Sequence, residues 1–188
     1  MRLTHCLNRG EQHMEINKMP EVLNDFRIYD ENSDTLYGVA KLELPDFKSI
    51  TATIKGVGVG GEIEAPVLGQ FESMETKLTH NLNDKWNLTM VGGKAVALEA
   101  RAANQYWDSA NNNYVMEKVR VVIRGRTKQM SGGSWEPAST TDAENTIETT
   151  YIKYEVNGKT LLEVDKYAYK FVVGGTDIMQ PIRDALGI

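Results

Sequence analysis

Thr150-Tyr-Ile-Lys-Tyr-Glu-Val-Asn-Gly-Lys-Thr-Leu-Leu-Glu-Val-Asp165 is the stretch on which the fold turns. Two runs of alternating polarity flank Asn157-Gly158, the dipeptide that most favours a tight chain reversal. The faces argue for a register. A two-residue turn would pair Val156 with Lys159 and mix polar and apolar groups on both sides of the ribbon. A three-residue loop, Val156-Asn157-Gly158, pairs Glu155 with Lys159. It places Ile152, Tyr154, Thr160, Leu162 and Val164 on one face and Lys153, Glu155, Lys159, Glu163 and Asp165 on the other. Only the second arrangement offers a face to a core, so it is the one expected, with Gly158 in the left-handed position of a type I turn plus bulge.

Outward from this hairpin the signals are those of a mainly β chain. Residues 94–107 and 114–128 read as a second ribbon across the polar turn 108–113. In its second strand Val119, Val121 and Ile123 face one way; Lys118, Arg120, Arg124 and Arg126 face the other, together with Val122. Residues 129–145 form a polar loop or crossover, and 166–173 a further strand. Upstream strands are expected at 25–29, 35–44, 48–54 and 70–80, the second ended by Pro45. Residues 83–91 make the best helix, with Asn83 as cap, a buried stripe of Trp86, Met90 and Leu82, and a stop at Gly92-Gly93. Residues 177–186 suit a short helix capped by Asp177 and ended by Gly187, with Pro181 weakening it.

The chain has 188 residues, of which 41% are hydrophobic and 25% charged, and a net charge of −5. That suits one domain and disfavours a general grip on nucleic acid. A single cysteine, Cys6, excludes an internal disulfide framework. No apolar run approaches the ~18 residues of a membrane span, and the N-terminus lacks the apolar stretch of a signal peptide. Residues 1–13 show no period, cap or core stripe. They read either as a disordered arm or as a leader outside the native protein, with Met14 as the natural start and 14–188 as a single domain.

Residues 55–69 are glycine-rich yet apolar, with Val57, Val59, Ile63, Val67 and Leu68 among the glycines. Gly56, Gly58 and Gly61 match the dinucleotide fingerprint in form, but Glu62-Ile-Glu-Ala-Pro66 is no helix start, so the fingerprint fails. The segment reads as a mobile hairpin excursion that orders against a neighbouring subunit. Its candidate contact residues are Lys55, Gly56, Val57, Gly58, Val59, Glu62, Ile63 and Glu64. Asp30, Asn32 and Asp34 open like a calcium loop, but Thr35 stands where glycine is needed and Lys41 where the closing glutamate belongs.

Catalytic constellations are not legible. His5, His13 and His80 are not spaced as metal ligands, Cys6 has no nucleophile context, and no serine sits in an elbow motif. No catalytic, cofactor-binding or metal-binding residue is therefore named, and the chain is read as a non-enzyme. The basic strip on residues 118–128 reads first as a set of ion pairs with acids such as Glu163 and Asp165. Arg124, Arg126, Lys153, Glu155, Lys159 and Glu163 form a candidate charged interface or channel face. A rival reading is a monomeric β-sandwich that binds a ligand with Trp86, Tyr106, Trp107 and Trp135.

The order of elements is strand pair, glycine-rich excursion, strand, short Trp helix, strand pair, polar loop, Asn-Gly hairpin and terminal strand. This order resembles the major tail tube protein of contractile-tailed bacteriophages. So do Val121-Val-Ile-Arg-Gly-Arg-Thr-Lys128, Tyr151-Ile-Lys-Tyr-Glu-Val-Asn-Gly-Lys-Thr-Leu-Leu-Glu-Val-Asp165 and Ala185-Leu-Gly-Ile188. The resemblance spans about residues 15–188 and is most specific in the C-terminal third. It implies an antiparallel β-sandwich or β-barrel protomer with one short flanking helix and a long glycine-rich hairpin loop. It also implies hexameric rings stacked into a tube within the virion tail and assembled in the host cytoplasm. Implied partners are the sheath, baseplate and tape-measure proteins, and genomic DNA passing through the lumen. Tubes of tail-like bacteriocins and contractile injection systems share the resemblance. If Met14 is the native start, intact-mass measurement of natively expressed protein will show a chain beginning there; a mass that includes Met1 overturns it.

Overall fold

The computed structural model describes residues 17–31, 36–56 and 60–187. Its elements in chain order begin with β1 (Lys18–Asp30), β2 (Leu36–Tyr37), β3 (Val39–Glu43), β4 (Ser49–Ile54), β5 (Ile63–Phe71), β6 (Glu75–His80) and α1 (Lys85–Thr89). There follow β7 (Ala95–Asp108), β8 (Asn113–Ser131), β9 (Ala143–Val156), β10 (Lys159–Asp165), β11 (Lys170–Val173), β12 (Thr176–Asp177) and α2 (Gln180–Leu186). All strand pairs are antiparallel. Ten strands form one sheet and β4–β5 form a separate ribbon.

The sheet is built on β8 and β9. All 14 residues of β7 pair with β8 without interruption, and β1 lies along the other edge of β7. β9 pairs with β8 over its whole length but changes its second neighbour midway. Its first half, Ala143 to Glu148, pairs with β6; its second half, Tyr151 to Val156, pairs with β10. β6 also pairs with β3, and β2, one residue before β3, pairs back onto β1. The pairing circuit thus returns on itself through Gly38.

A bulge makes the change of neighbour possible. Arg124 pairs with Tyr151 but Gly125 pairs with Thr149, so Thr150 is extra on β9. Core-facing residues on β9 therefore run Ile147, Thr149 and then Ile152, Tyr154, slipping by one. Gly125 lets the backbones meet there: an added Cβ would collide with the Glu148 carbonyl and the Ile147 side chain. The bulge is held by the Thr149 N–H donating to Met74 O at 2.7 Å, and by a buried Thr76–Thr149 hydroxyl pair, also 2.7 Å.

The core gathers from both branches. Ile28, Leu98, Val121, Ile123, Ile152 and Val164 meet Met74, Leu78 and Ile147 in one cluster. Tyr37 stacks on Trp86 with ring centroids 3.5 Å apart, which seats α1 over that end of the core.

The opening hairpin takes the other register. Asn157 and Gly158 both have positive φ, 50° and 79°, so the turn has two residues and Val156 pairs with Lys159. The mixing of faces that argued against this turn is relieved one step later. Thr160 pairs with Glu155, Leu161 bulges out 47% exposed, and from there Leu162 faces Tyr154 and Val164 faces Ile152. The apolar set keeps Ile152, Tyr154, Leu162 and Val164, while Lys159 and Thr160 exchange faces. Other boundaries also move. Asp84, not Asn83, caps α1 by accepting the Asn87 N–H at 2.9 Å, and Leu82 is 66% exposed rather than buried. Met179, not Asp177, is the N-cap of α2, whose C-cap Gly187 is left-handed as expected. The expected strand at 166–173 begins only at Lys170, because Asp165 accepts the Tyr167 and Ala168 N–H groups and turns the chain. The expected loop at 129–145 shrinks to 132–142 as β8 and β9 extend into it.

Gly125→Ala is expected to cost about 2–3 kcal/mol, read from the shift of the urea unfolding midpoint, since the strand pair has no room for the methyl group.

Candidate assembly surfaces

β4 and β5 project as a two-stranded ribbon. Ile54 pairs with Ile63 and Ala52 with Ala65, while Thr53 pairs with Glu64. Cross-strand partners share a face, so the ribbon has an apolar side with Ala52, Ile54, Ile63 and Ala65 and a polar side with Thr53 and Glu64. Ile54 is 47% and Ile63 52% exposed, so among the described residues the apolar side is half open. At its outer end Lys55 and Glu62 form an ion pair at 2.8 Å. Of the candidate contact residues, Val57, Gly58 and Val59 lie outside the described residues. Ile63 and Glu64 prove to be strand rather than loop. At its base Gly69 has φ +68°, and the Met179 side chain occupies the space a Cβ would need. This contact ties the arm to the start of α2.

Most of the candidate charged face is committed within the protomer. Glu99 on β7, only 5% exposed, accepts from Arg120 and from Arg101, both at 2.5 Å. Arg120 also donates to Glu155 at 2.9 Å, and Lys153 pairs with Glu155 at 2.5 Å. The Arg120 hydrogen bond, aided by Arg101 and opposed by burial, holds the Glu99 carboxyl at about 2. Glu155 is lowered by Lys153 and Arg120. Arg124 grips Glu31 with two hydrogen bonds, 2.7 and 2.5 Å, and lies over the Tyr151 ring at 4.7 Å. Tyr151 is pushed up to about 12, chiefly by burial and then by Glu163. Glu163 also pairs with Lys170 at 3.0 Å. Lys128 pairs with Glu75.

Ion pairing of the basic strip is thus what the structure shows, but with partners other than the expected Glu163 and Asp165. Of the six charged-face candidates, Arg124, Lys153, Glu155 and Glu163 are paired. Arg126 and Lys159 are exposed and have no ion pair among the described residues. Lys159 has also left the face it was assigned to. Glu31 and Glu99 were missed, because nothing local in the sequence brings either to Arg124 or Arg120.

The aromatic residues of the ligand-binding reading are not brought together. Trp86 stacks on Tyr37 beneath α1. Trp107 packs edge-on against Tyr114 at the far end of the β7–β8 hairpin, and Trp135 stands 87% exposed on the 132–142 loop. Tyr106 points to the other face from Trp107 and donates to Glu117 at 2.8 Å. Among the described residues no group of three or more His, Cys, Asp or Glu is arranged to hold a metal ion. No described helix is long and apolar enough to cross a membrane.

What the fold and these surfaces define is a mainly β structural subunit with a projecting two-stranded arm. Residues 20–187 match the family of the phage tail tube protein FII, and the chain belongs to that family. The tail tube protein of Escherichia phage P2 is 29% identical over 163 residues, covering 84% of this chain and 92% of that protein. In fold, the chain is similar to a component of an extracellular contractile injection system, described as the PVC sheath/tube terminator in the extended state. The TM-score is 0.50 at 12% identity, over 72% of this chain and 96% of that one. The family is structural, not enzymatic, and its members are components of the virion tail.

Glu99→Gln is expected to lower stability by about 2 kcal/mol by removing a charge that two arginines share. The depressed folded pKa sets the sign of the pH effect. The Glu99 contribution is complete above its ordinary value of 4.5 and is lost as pH falls toward about 2. Acid titration of stability should therefore be flatter in that window for Glu99→Gln than for the natural protein.

Proposed function

We propose that this tail tube subunit closes into six-membered rings that stack into a tube, sheathed outside and conducting DNA within. The observation that carries the reading is the β4–β5 ribbon. A lone two-stranded ribbon with a half-open apolar face is marginally stable in water, so its length and amphipathic pattern make sense as a contact arm that a neighbouring subunit covers. A second feature supports it. β1 meets β2 only at Ile28 and Tyr29, so among the described residues its edge from Lys18 to Arg27 has no strand partner. Ring closure would pair such an edge, and a closed β-barrel protomer would follow from the circuit through Gly38.

The net charge of −5 suits a channel that repels the DNA backbone rather than holding it. The sheath, baseplate and tape-measure proteins are the partners this role requires. A tube of a tail-like bacteriocin or injection system is the second reading, supported by the fold shared with the injection-system component. DNA inside the native particles separates the two.

Concentrated protein is expected to show rings or tubes of uniform diameter by negative-stain microscopy; a strict monomer overturns the reading. Deleting residues 56–61 should leave the unfolding free energy within about 0.5 kcal/mol of the parent, as befits a change away from the core, and abolish tube growth. Unaltered growth would remove the arm from the contact.

A further inference from the structure

β6 ends on His80, whose side chain is 1% exposed. It sits at the seam where Val39 of β3 pairs on one side and Ala143 of β9 on the other. Three groups surround the imidazole. It is hydrogen-bonded to the Gly38 backbone, its Nε2 faces Asn145 Nδ2 at 3.4 Å, and the Trp86 ring meets it edge-on at 5.6 Å between centroids. Asn145 Nδ2 also donates to Met90 Sδ at 3.4 Å, and Met90 is the C-cap of α1. One buried amide therefore links β9 to both the histidine and the end of the helix. Its oxygen, Oδ1, is buried without a hydrogen-bond partner among the described residues.

With the Asn145 NH2 turned toward it, Nε2 is suited to accept, as it does in a neutral ring. A proton on Nε2 would set N–H against NH2. The amide must then turn to offer Oδ1, which withdraws Nδ2 from Met90. The charges nearby do not compensate. Asp84, at the N-cap of α1, attracts the imidazolium but is engaged with the Asn87 N–H. On the packed elements, Lys41 pairs with Glu43 and Lys77 with Glu144 in exposed ion pairs, and Lys85 is exposed. Tyr37, stacked on Trp86, donates to Asp30.

We propose that His80 is an acid-sensitive latch: protonating it frees α1 and the β3–β6 seam from β9 while the β7–β8 hairpin stays closed. Burial holds the His80 pKa below its ordinary 6.5. The open form therefore binds the proton more readily, and the seam is fully held above about pH 6.5 and loosens as pH falls.

Hydrogen exchange on the full-length chain, corrected for the intrinsic pH dependence of exchange, tests it between pH 7.5 and 5. Amides of β3, β6 and α1 should open up to about tenfold more per pH unit below 6.5, while those of β7 and β8 stay unchanged. His80→Gln, a neutral hydrogen-bonding replacement, should remove the pH step. A uniform loss across the sheet, no loss at all, or a step that survives in His80→Gln overturns the latch. If His80→Gln does not fold, the imidazole nitrogen resonances of the natural protein decide. A transition below 6.5 that coincides with loss of the α1 signals supports the latch, and a free-histidine titration with α1 undisturbed refutes it.

Discussion

The close approach of Gly125 to the β9 backbone is the constraint on which the rest of the structure depends. One strand has to serve two branches: β6 and β3 on its first half, β10 and β11 on its second. A straight ladder cannot do this while keeping one face dry. The extra residue at Thr150 resets the side-chain alternation, so that Ile147 and Ile152, an odd number apart, enter the same core. The Thr76–Thr149 hydroxyl pair answers the polar groups that the bulge buries there.

Beyond the bulge, the register places charged residues distant in sequence on one outer face. Glu99, Arg101, Arg120, Glu155 and Lys153 join from three strands, and Arg124 reaches Glu31 beyond the end of β1. The face is rich in cations yet largely neutralised by its own carboxylates. The cations of this face are thus largely spent on the protein's own carboxylates. Val122, on the same face, is only 4% exposed between these pairs, so the network also shields apolar surface.

Two parts of the molecule stand outside this economy. The β4–β5 ribbon leaves its apolar side half open and touches the body chiefly at its base, where Gly69 accepts Met179. The β1 edge from Lys18 to Arg27 has no strand partner among the described residues. Both features cost stability in a lone protomer, through exposed apolar surface and open strand-edge groups.

Much of this was legible in the chain itself. Alternation revealed the β7–β8 and β9–β10 ribbons though not the β5 half of the arm, Asn157-Gly158 a tight turn, Pro and Gly several boundaries, and the charge pattern of 118–128 a paired strip. These are local properties, set by side-chain period and backbone preference over a few residues. Three things were decided only by tertiary structure. The hairpin took the two-residue turn because a bulge at Leu161 restored the apolar face one step later, and alternation alone carries no sign of an unpaired residue. The ion-pair partners Glu99 and Glu31 were chosen by strand neighbours, which depend on topology and not on spacing. His80 and Asn145 became a buried pair because β6 and β9 meet, although 65 residues separate them. Sequence determined where most of the strands would lie and which faces would seek a core; contact across the bulge at Gly125 determined which residues those faces would find.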